Sequence, residues 1–330
     1  MSKFVDYPID PGIPTLEAVL DPAELAKHLS PPSLPWQWDT SQAIRLRVLK
    51  WHRGSRCTFE IGLKVASAWQ ELIGKVYAED RLDVYQAMEA IARAGFGPED
   101  EFSIPKALAY IPGLHLLLQE KVQGPRAKQF MLTGNERDRI AASERCARWL
   151  AKFHAVAPPG PEAMKPSTMD SIARWSQKIA KLGEPVAGLA AQLSKRLEEG
   201  AAAVANGEKC AGHGTYNYAQ VIVNEDRTIA FDLDLYDVAD PCRDVARFLV
   251  ALQGLAFKHL GSIRALDTVA EVFVETYQGL SPFRLAAKLP WYRAWTCLRH
   301  AKYEADRPVC TFHEGIQTLL GEGLRVLGLG

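Results

Sequence analysis

The stretch CAGHGTYNYAQVIVNEDRTIAFDLDLYDVADPCRDVARF, residues 210–248, decides how the rest of the chain is read. Gln220-Val221-Ile222-Val223 and Thr228-Ile229-Ala230-Phe231 are short runs rich in β-branched residues, and Asn224-Glu225-Asp226-Arg227 between them is a polar hairpin connection. His213 to Gln220 precede the first strand; Asp232 and Asp234 follow the second. A hairpin therefore gathers His213, Thr215, Gln220, Asp232 and Asp234 at one end of a small sheet. Asp240-Pro241 then opens a helix, with Asp as N-cap and Pro at the first helical position. Carboxylate and amide oxygens converging from loops suit a hard divalent cation.

His213-Gly214-Thr215, Gln220, Phe231-Asp232-Leu233 and Ala239-Asp240-Pro241-Cys242-Arg243-Asp244-Val245-Ala246 resemble, in kind and spacing, a known catalytic core. It is that of the aminoglycoside phosphotransferase and choline kinase branch of the protein-kinase-like fold. That family carries H-G-D-x-x-x-x-N, a hairpin, I-D-F and then G-D-P-x-x-D-L-A. An ordinary hairpin with a polar rim is the plainer alternative, and five positions at consistent spacing weigh against it. Two positions depart from the pattern. Thr215 stands where the family has its catalytic aspartate, which removes the acceptor that orients the attacking hydroxyl. Gln220 replaces the metal-binding asparagine, keeping the amide oxygen on a longer arm.

The resemblance spans about residues 45–307. It implies an α+β, protein-kinase-like two-lobe fold with a small antiparallel β lobe and a helical large lobe. The expected divisions are an N-terminal arm and helix (1–40), a nucleotide-binding lobe (41–122) and a helical lobe carrying the hairpin (123–330). It further implies transfer of the γ-phosphate of ATP or GTP to a hydroxyl group of a small molecule, with Mg²⁺. Asp232 and Gln220 would hold the metal, with Asp234 as a second carboxylate. His213 and Thr215 belong to the catalytic loop, His213 bracing it. Asp240 caps its helix and Asp244 ties that helix to the loop.

Ahead of the hairpin, residues 1 to about 14 read as an extended arm and Thr15 to Leu29 as one helix, stopped at Ser30-Pro31-Pro32-Ser33-Leu34-Pro35. Arg45 to Leu49 and Cys57 to Leu63 are strand-like and flank the basic turn Lys50 to Arg56. This turn is either a phosphate-covering loop, acting through Arg53, Ser55, Arg56 and backbone donors, or a solvated hairpin tip. Leu72 to Tyr77 is the next strand, and Lys75 within it needs a partner. The resemblance makes Lys75 the nucleotide-phosphate lysine. Its partner would be Glu89, on the helical stripe Leu82 to Ala94, with Glu79 as competitor and an exposed Glu89 as the plain alternative. Ala107 to Ile111 and Leu114 to Glu120 are further strands. Glu120 to Val122 is either a plain strand end or the family's hinge, whose backbone would meet an adenine edge.

Beyond the hinge the pattern turns helical: Glu136 to Ala155, two helices within Thr168 to Ala205, then Val245 to Leu260, Val269 to Gln278, Leu289 to Arg307 and His313 to Val326. His154 reads as a packed helix-end residue. With 330 residues, 48% hydrophobic and 24% charged, the composition is that of a globular protein with room for two cores. Basic and acidic residues balance at 39 each, which argues against a nucleic-acid partner. The six cysteines (57, 146, 210, 242, 297, 310) form no C-x-x-C pair, and no apolar run approaches a membrane span. A reducing, cytoplasmic setting without membrane attachment is expected. Three readings follow: a small-molecule kinase, a catalytically impaired kinase-like (pseudokinase) module that binds a nucleotide or metabolite, and a scaffold that binds no nucleotide. Lys75, Asp232 and the Asp240/Asp244 pair argue against the scaffold. Thr215 separates the first two.

Overall fold

The computed structural model describes residues 9–29, 34, 37–161, 168–205, 207–306 and 313–328. The start of the extended arm, most of the Pro-rich helix stop at 30–35, Arg307 and Cys310 lie outside the described residues. The chain is α+β and divides into two compact units, Met1–Gln123 and Gly124–Gly330.

The first unit is built on five antiparallel strands: β1 (Arg45–His52), β2 (Arg56–Val65), β3 (Ala68–Tyr77), β5 (Ala107–Ile111) and β6 (Leu116–Glu120), in the order β1-β2-β3-β6-β5. A two-residue β4 (Phe102–Ser103) lies outside this sheet. Alternation sets the buried face: Cys57, Phe59, Ile61 and Leu63 of β2 are all fully buried. Gly74 of β3 pairs with Phe59, and a Cβ there would lie 2.7 Å from the Phe59 ring, so the ring packs directly on the glycine backbone. Helix α3 (Leu82–Ile91) buries Val84, Met88 and Ile91 at helical spacing.

The single helix read over Thr15–Leu29 is in fact two, α1 (Leu16–Leu20) and α2 (Pro22–His28). Pro22 cannot donate to the preceding turn. The Asp21 carboxylate accepts from Ala23 N (2.7 Å) and Glu24 N (3.1 Å) and starts a new helix. Both helices share the sheet's core: Leu16, Val19, Leu20, Leu25 and Leu29 pack in one cluster with Phe59, Ile61 and Leu116. Each such burial contributes about 1.5–3 kcal/mol, so this segment is integral to the unit.

The second unit holds α4 (Ala127–Thr133), α5 (Glu136–Val156), α6 (Thr168–Ala180), α7 (Val186–Val204), β7 (Cys210–Gly212), β8 (Val221–Val223), β9 (Thr228–Ala230), β10 (Asp237–Ala239), α8 (Cys242–Leu260), α9 (Asp267–Leu280), α10 (Leu289–Ala305) and α11 (His313–Val326). Asn135 caps α5 by accepting from Asp138 N at 3.0 Å. β8 and β9 form the expected hairpin around residues 224–227, and β7 pairs with β10. An aromatic stack runs from α5 to α9 by way of the 213–216 loop and α8. Its ring centroids are 4.8 Å apart for Phe153–Trp149, 5.4 Å for Trp149–Tyr216, 5.9 Å for Tyr216–Phe248 and 3.9 Å for Phe248–Phe273. Helices α6, α7, α10 and α11 close over a separate core that includes Ile179, Leu193, Trp291, Leu298 and Ile316. The five described cysteines are free and buried. Among the described residues no helix is long and apolar enough to cross a membrane.

Candidate active site

Strand β7 delivers the chain into His213-Gly214-Thr215, and α8 holds it there. The Asp244 carboxylate accepts from His213 N at 2.6 Å and from Gly214 N at 3.1 Å. Burial alone would raise the Asp244 carboxyl; Arg243, His154 and Arg247 more than offset that and hold it well below the usual carboxylate range. His154 lies at the end of α5 with Nδ1 2.6 Å from Tyr277 Oη and Nε2 3.6 Å from Asp244 Oδ2. It is a packed residue that supports the clamp. Gly214 has φ 86°, and a Cβ on it would lie 2.1 Å from the Leu235 carbonyl oxygen, so the loop passes where only glycine fits. His213 is fully buried, edge-on to Trp149 and Tyr216. Desolvation outweighs its carboxylate neighbours and keeps its ring neutral. The resemblance groups His213 with the catalytic residues, and its burial fits the expected role of bracing the loop.

Three of the sequence-predicted side chains meet. Gln220, at the end of a short 3₁₀ turn rather than in the strand, donates through Nε2 to Thr215 Oγ1 (2.8 Å) and to Asp232 Oδ2 (3.2 Å). Asn217, which the sequence reading passes over, fixes this amide: its Nδ2 donates to Gln220 Oε1 (3.0 Å) and to the Thr215 carbonyl (2.8 Å). An Asn inside a tight polar loop was the signal available. Asp232 has φ 76°, a left-handed conformation that Asp tolerates better than most residues and that sets where its carboxylate points. Asp234 is buried two residues on. Asp240 accepts from Cys242 N at 2.9 Å and pairs with Lys288 at 3.3 Å; α8 starts one residue later than expected, with Pro241 rather than Asp240 at its N-cap.

A divalent cation suits this donor set. Two cis oxygen ligands of Mg²⁺ stand about 2.9 Å apart and those of Ca²⁺ about 3.4 Å. In the structure the Gln220 amide turns its nitrogen to Asp232 and its oxygen to Asn217, so holding a cation would require the amide to rotate and bring that oxygen beside the Asp232 carboxylate. Among the described residues no three His, Cys, Asp or Glu side chains converge as a metal cluster. The remaining ligands would therefore be water and phosphate oxygens, as Mg²⁺ prefers.

In the first unit, Lys75 is buried in β3, paired across to Thr58 and Leu117. Glu89 does not serve it. The carboxylate is turned to Arg93 on the same face one turn later (3.3 Å) and its side chain is 40% exposed, so a local i,i+4 pair replaces the expected Lys75–Glu89 pair. The Glu120 carboxylate accepts from Lys106 N (3.0 Å), and Val122 is half-buried just beyond. Arg53 and Ser55 are exposed at the β1–β2 tip. The backbone donor between them is taken: the Asp10 carboxylate accepts from Gly54 N (2.6 Å), Trp51 Nε1 (2.9 Å) and Gly12 N (3.0 Å). A phosphate arriving at this tip meets a carboxylate on one of the backbone groups expected to bind it.

The strand order, the clamped His-Gly-Thr loop and the Gln220–Asp232 contact are those of a protein-kinase-like phosphotransferase frame. Residues 71–295 match the model of the phosphotransferase enzyme family, APH, and the chain belongs to that family. No curated protein matches the sequence. A choline/ethanolamine kinase family protein from Mesorhizobium loti is similar in structure, with TM-score 0.60, 15% identity, and 95% of this chain and 93% of that one covered. So is a thermostable mutant of aminoglycoside phosphotransferase APH(4)-Ia in ternary complex with ADP and hygromycin B (TM-score 0.58, 15% identity, coverage 87% and 95%). Amicoumacin kinase hAmiN in complex with AMP-PNP, Ca²⁺ and Ami is a third (TM-score 0.59, 12% identity, coverage 94% of each chain).

Proposed function

We propose that the protein is a small-molecule kinase that transfers the γ-phosphate of ATP or GTP to a hydroxyl group, with Mg²⁺, in the cytoplasm. The observation that carries this reading is the hydrogen-bonded triangle of Thr215, Gln220 and Asp232 on a loop whose backbone is clamped by Asp244. Family membership supports it, as do the nucleotide complexes of the similar structures. Buried, unpaired thiols fit a reducing compartment.

Asp232 and Gln220 would hold the cation, with Asp234 beside them, and Lys75 would neutralise nucleotide phosphate charge. The cation, when bound, supplies charge neutralisation on the phosphates. The chain's own residues supply position: Asp244 and Gly214 set the loop, Asn217 sets Gln220, and Gln220 sets the Thr215 hydroxyl. Phosphoryl transfer through a loose transition state asks mainly for such positioning and little base strength. Thr215 can orient an acceptor hydroxyl by hydrogen bond but cannot take its proton at neutral pH. That single feature favours a second reading, a nucleotide-binding module with impaired turnover.

Calorimetric titration with ATP and GTP, with and without Mg²⁺, tests the reading. We expect Mg²⁺-dependent tightening that Asp232→Ala abolishes without unfolding the protein; binding unchanged in that variant rejects the metal assignment. Thr215→Asp is expected to raise phosphoryl transfer by about 10²–10⁴-fold at unchanged nucleotide affinity. If neither wild type nor Thr215→Asp turns over any hydroxyl compound while nucleotide binding persists, the binding module stands.

A further inference from the structure

Helices α8 and α10 bring together more positive charge than the described residues around them neutralise. Arg243 has a firm counter-ion: its guanidinium grips Asp237 with two hydrogen bonds, Nη1 to Oδ2 at 2.8 Å and Nη2 to Oδ1 at 2.5 Å, and only its Nε is without a hydrogen-bond partner among the described residues. Arg247, one turn later on α8, has no such grip. It is 8% exposed, and its Nε and Nη1 have no hydrogen-bond partner among the described residues. The Asp244 carboxylate is 3.9 Å from Nη1, beyond hydrogen-bonding distance, and its oxygens are given to His213 N and Gly214 N.

The charge acting most strongly against Arg247 is another arginine, Arg299 of α10. Arg299 makes one hydrogen bond, to Tyr303 Oη at 3.2 Å, and lies 6.0 Å from the Trp295 ring centroid and 5.3 Å from that of Tyr303. No described carboxylate is within ion-pair distance of it. His300 adds no counter-charge: burial, Arg299 and Arg247 push its pKa down to about 4, so it is neutral at pH 7. Two guanidiniums held near each other, one with idle donors and little access to water, are costly unless an anion lies between them. A carboxylate or phosphate accepts such donors two at a time.

Place gives the site its meaning. Arg247 is one helical turn from Asp244, the residue that holds the catalytic loop, and its charge acts on the His213 ring. Resting on the kinase reading above, we infer that Arg247 and Arg299 form a subsite for an anionic group on the acceptor, so that the substrate is a hydroxyl compound bearing a carboxylate or phosphate. Polycationic sugars and quaternary amino alcohols are repelled there.

The test is calorimetric titration of nucleotide-free full-length protein with a hydroxy acid (D-gluconate), a phosphate ester (glucose 6-phosphate), a neutral sugar (glucose) and two cations (choline and kanamycin). Wild type, Arg299→Gln and Arg247→Lys are compared, and ATP binding is measured on each. We expect one or both anions to bind and the neutral and cationic compounds not to. Arg299→Gln, at a partly exposed position, should weaken anion binding by about tenfold or more and leave ATP binding unchanged. Arg247→Lys keeps the charge but not the planar fork and should weaken it by a smaller factor. Preference for gluconate assigns the anion as carboxylate, preference for glucose 6-phosphate as phosphate ester. Absence of anion binding, equal anion binding in wild type and Arg299→Gln, or tighter binding of choline or kanamycin overturns the inference. Loss of ATP binding in the wild type alongside Arg299-dependent anion binding overturns the kinase reading instead.

Discussion

Two loops of this protein are held by the same device with very different security. In the second unit Asp244 reaches across 31 positions to take His213 N, and in the first Asp10 reaches across 44 to take Gly54 N. Both loops turn on a glycine with positive φ, 86° at Gly214 and 65° at Gly54. Around Asp244 the surroundings are buried: Arg243, His154 and Arg247 hold its carboxyl down, and the loop it clamps joins the Trp149–Tyr216–Phe248 stack. Around Asp10, among the described residues, Arg53 alone offers positive charge, and the tip that Asp10 holds is exposed. The His213–Thr215 loop is part of a core. The β1–β2 tip is fastened at the surface by one carboxylate.

The harshest way to break that contrast is Asp244→Ala. It strips two loop N–H groups of their acceptor and removes the carboxylate that faces Arg243 and the buried Arg247, and should cost about 3–5 kcal/mol in urea unfolding. A cost near that of a surface mutation would mean that the clamp is not a core element.

The glycines come next. Gly214→Ala drives a Cβ against the Leu235 carbonyl at 2.1 Å, whereas a Cβ at Gly54 finds nothing within 4 Å. Left-handed backbone alone costs about 1–2 kcal/mol, which is the expectation for Gly54→Ala. Overpacking adds to it at residue 214, for a total of about 3–5 kcal/mol. Equal costs in the two variants would erase the distinction.

Acid should also separate the two. The folded pKa of His213 is depressed, so its stabilising contribution is complete above the unfolded-state value of about 6.5 and is lost as pH falls below it. His300 acts with the same sign. Asp10 and Asp244, both depressed, remain ionised across that range. Unfolding at pH 7.5 and 5.5 should therefore show a loss of stability that His213→Gln reduces, with the β1–β2 tip unaffected in amide exchange at Gly54. The smallest effect belongs to Asp10→Asn. It keeps the shape and removes one negative charge beside the tip, and should tighten nucleotide binding roughly threefold at low salt.

How much of this was legible follows from the range of the interactions. The β strands of the first unit announce themselves by alternation, as Cys57, Phe59, Ile61 and Leu63 do, and the long helices by their periodicity; such signals are local and repeat. The break at Asp21-Pro22 was readable, since Pro at a first helical position after an N-cap residue marks a new start. So was Glu89–Arg93, an i,i+4 pair that needs no tertiary information. Asp10 with Gly54 was not legible, nor was Arg145, whose Nε donates to Thr228 Oγ1 at 2.8 Å and whose Nη1 holds the Asn224 carbonyl to secure the hairpin tip. A single polar contact between distant residues leaves no period behind it. The residues from Thr215 to Asp232 were found as a group because motif spacing encodes a geometry; which atom of Gln220 faces which partner needed coordinates.

The Asp10 clasp has a practical side for anyone producing this protein. Its carboxylate is the fastening of the first unit's β1–β2 hairpin, holding Gly54 N, Trp51 Nε1 and Gly12 N at once. A truncation past residue 12 removes that acceptor and alters the β1–β2 tip before any ligand is added. Assays on such material would report the loss of the clasp as much as the chemistry of the site.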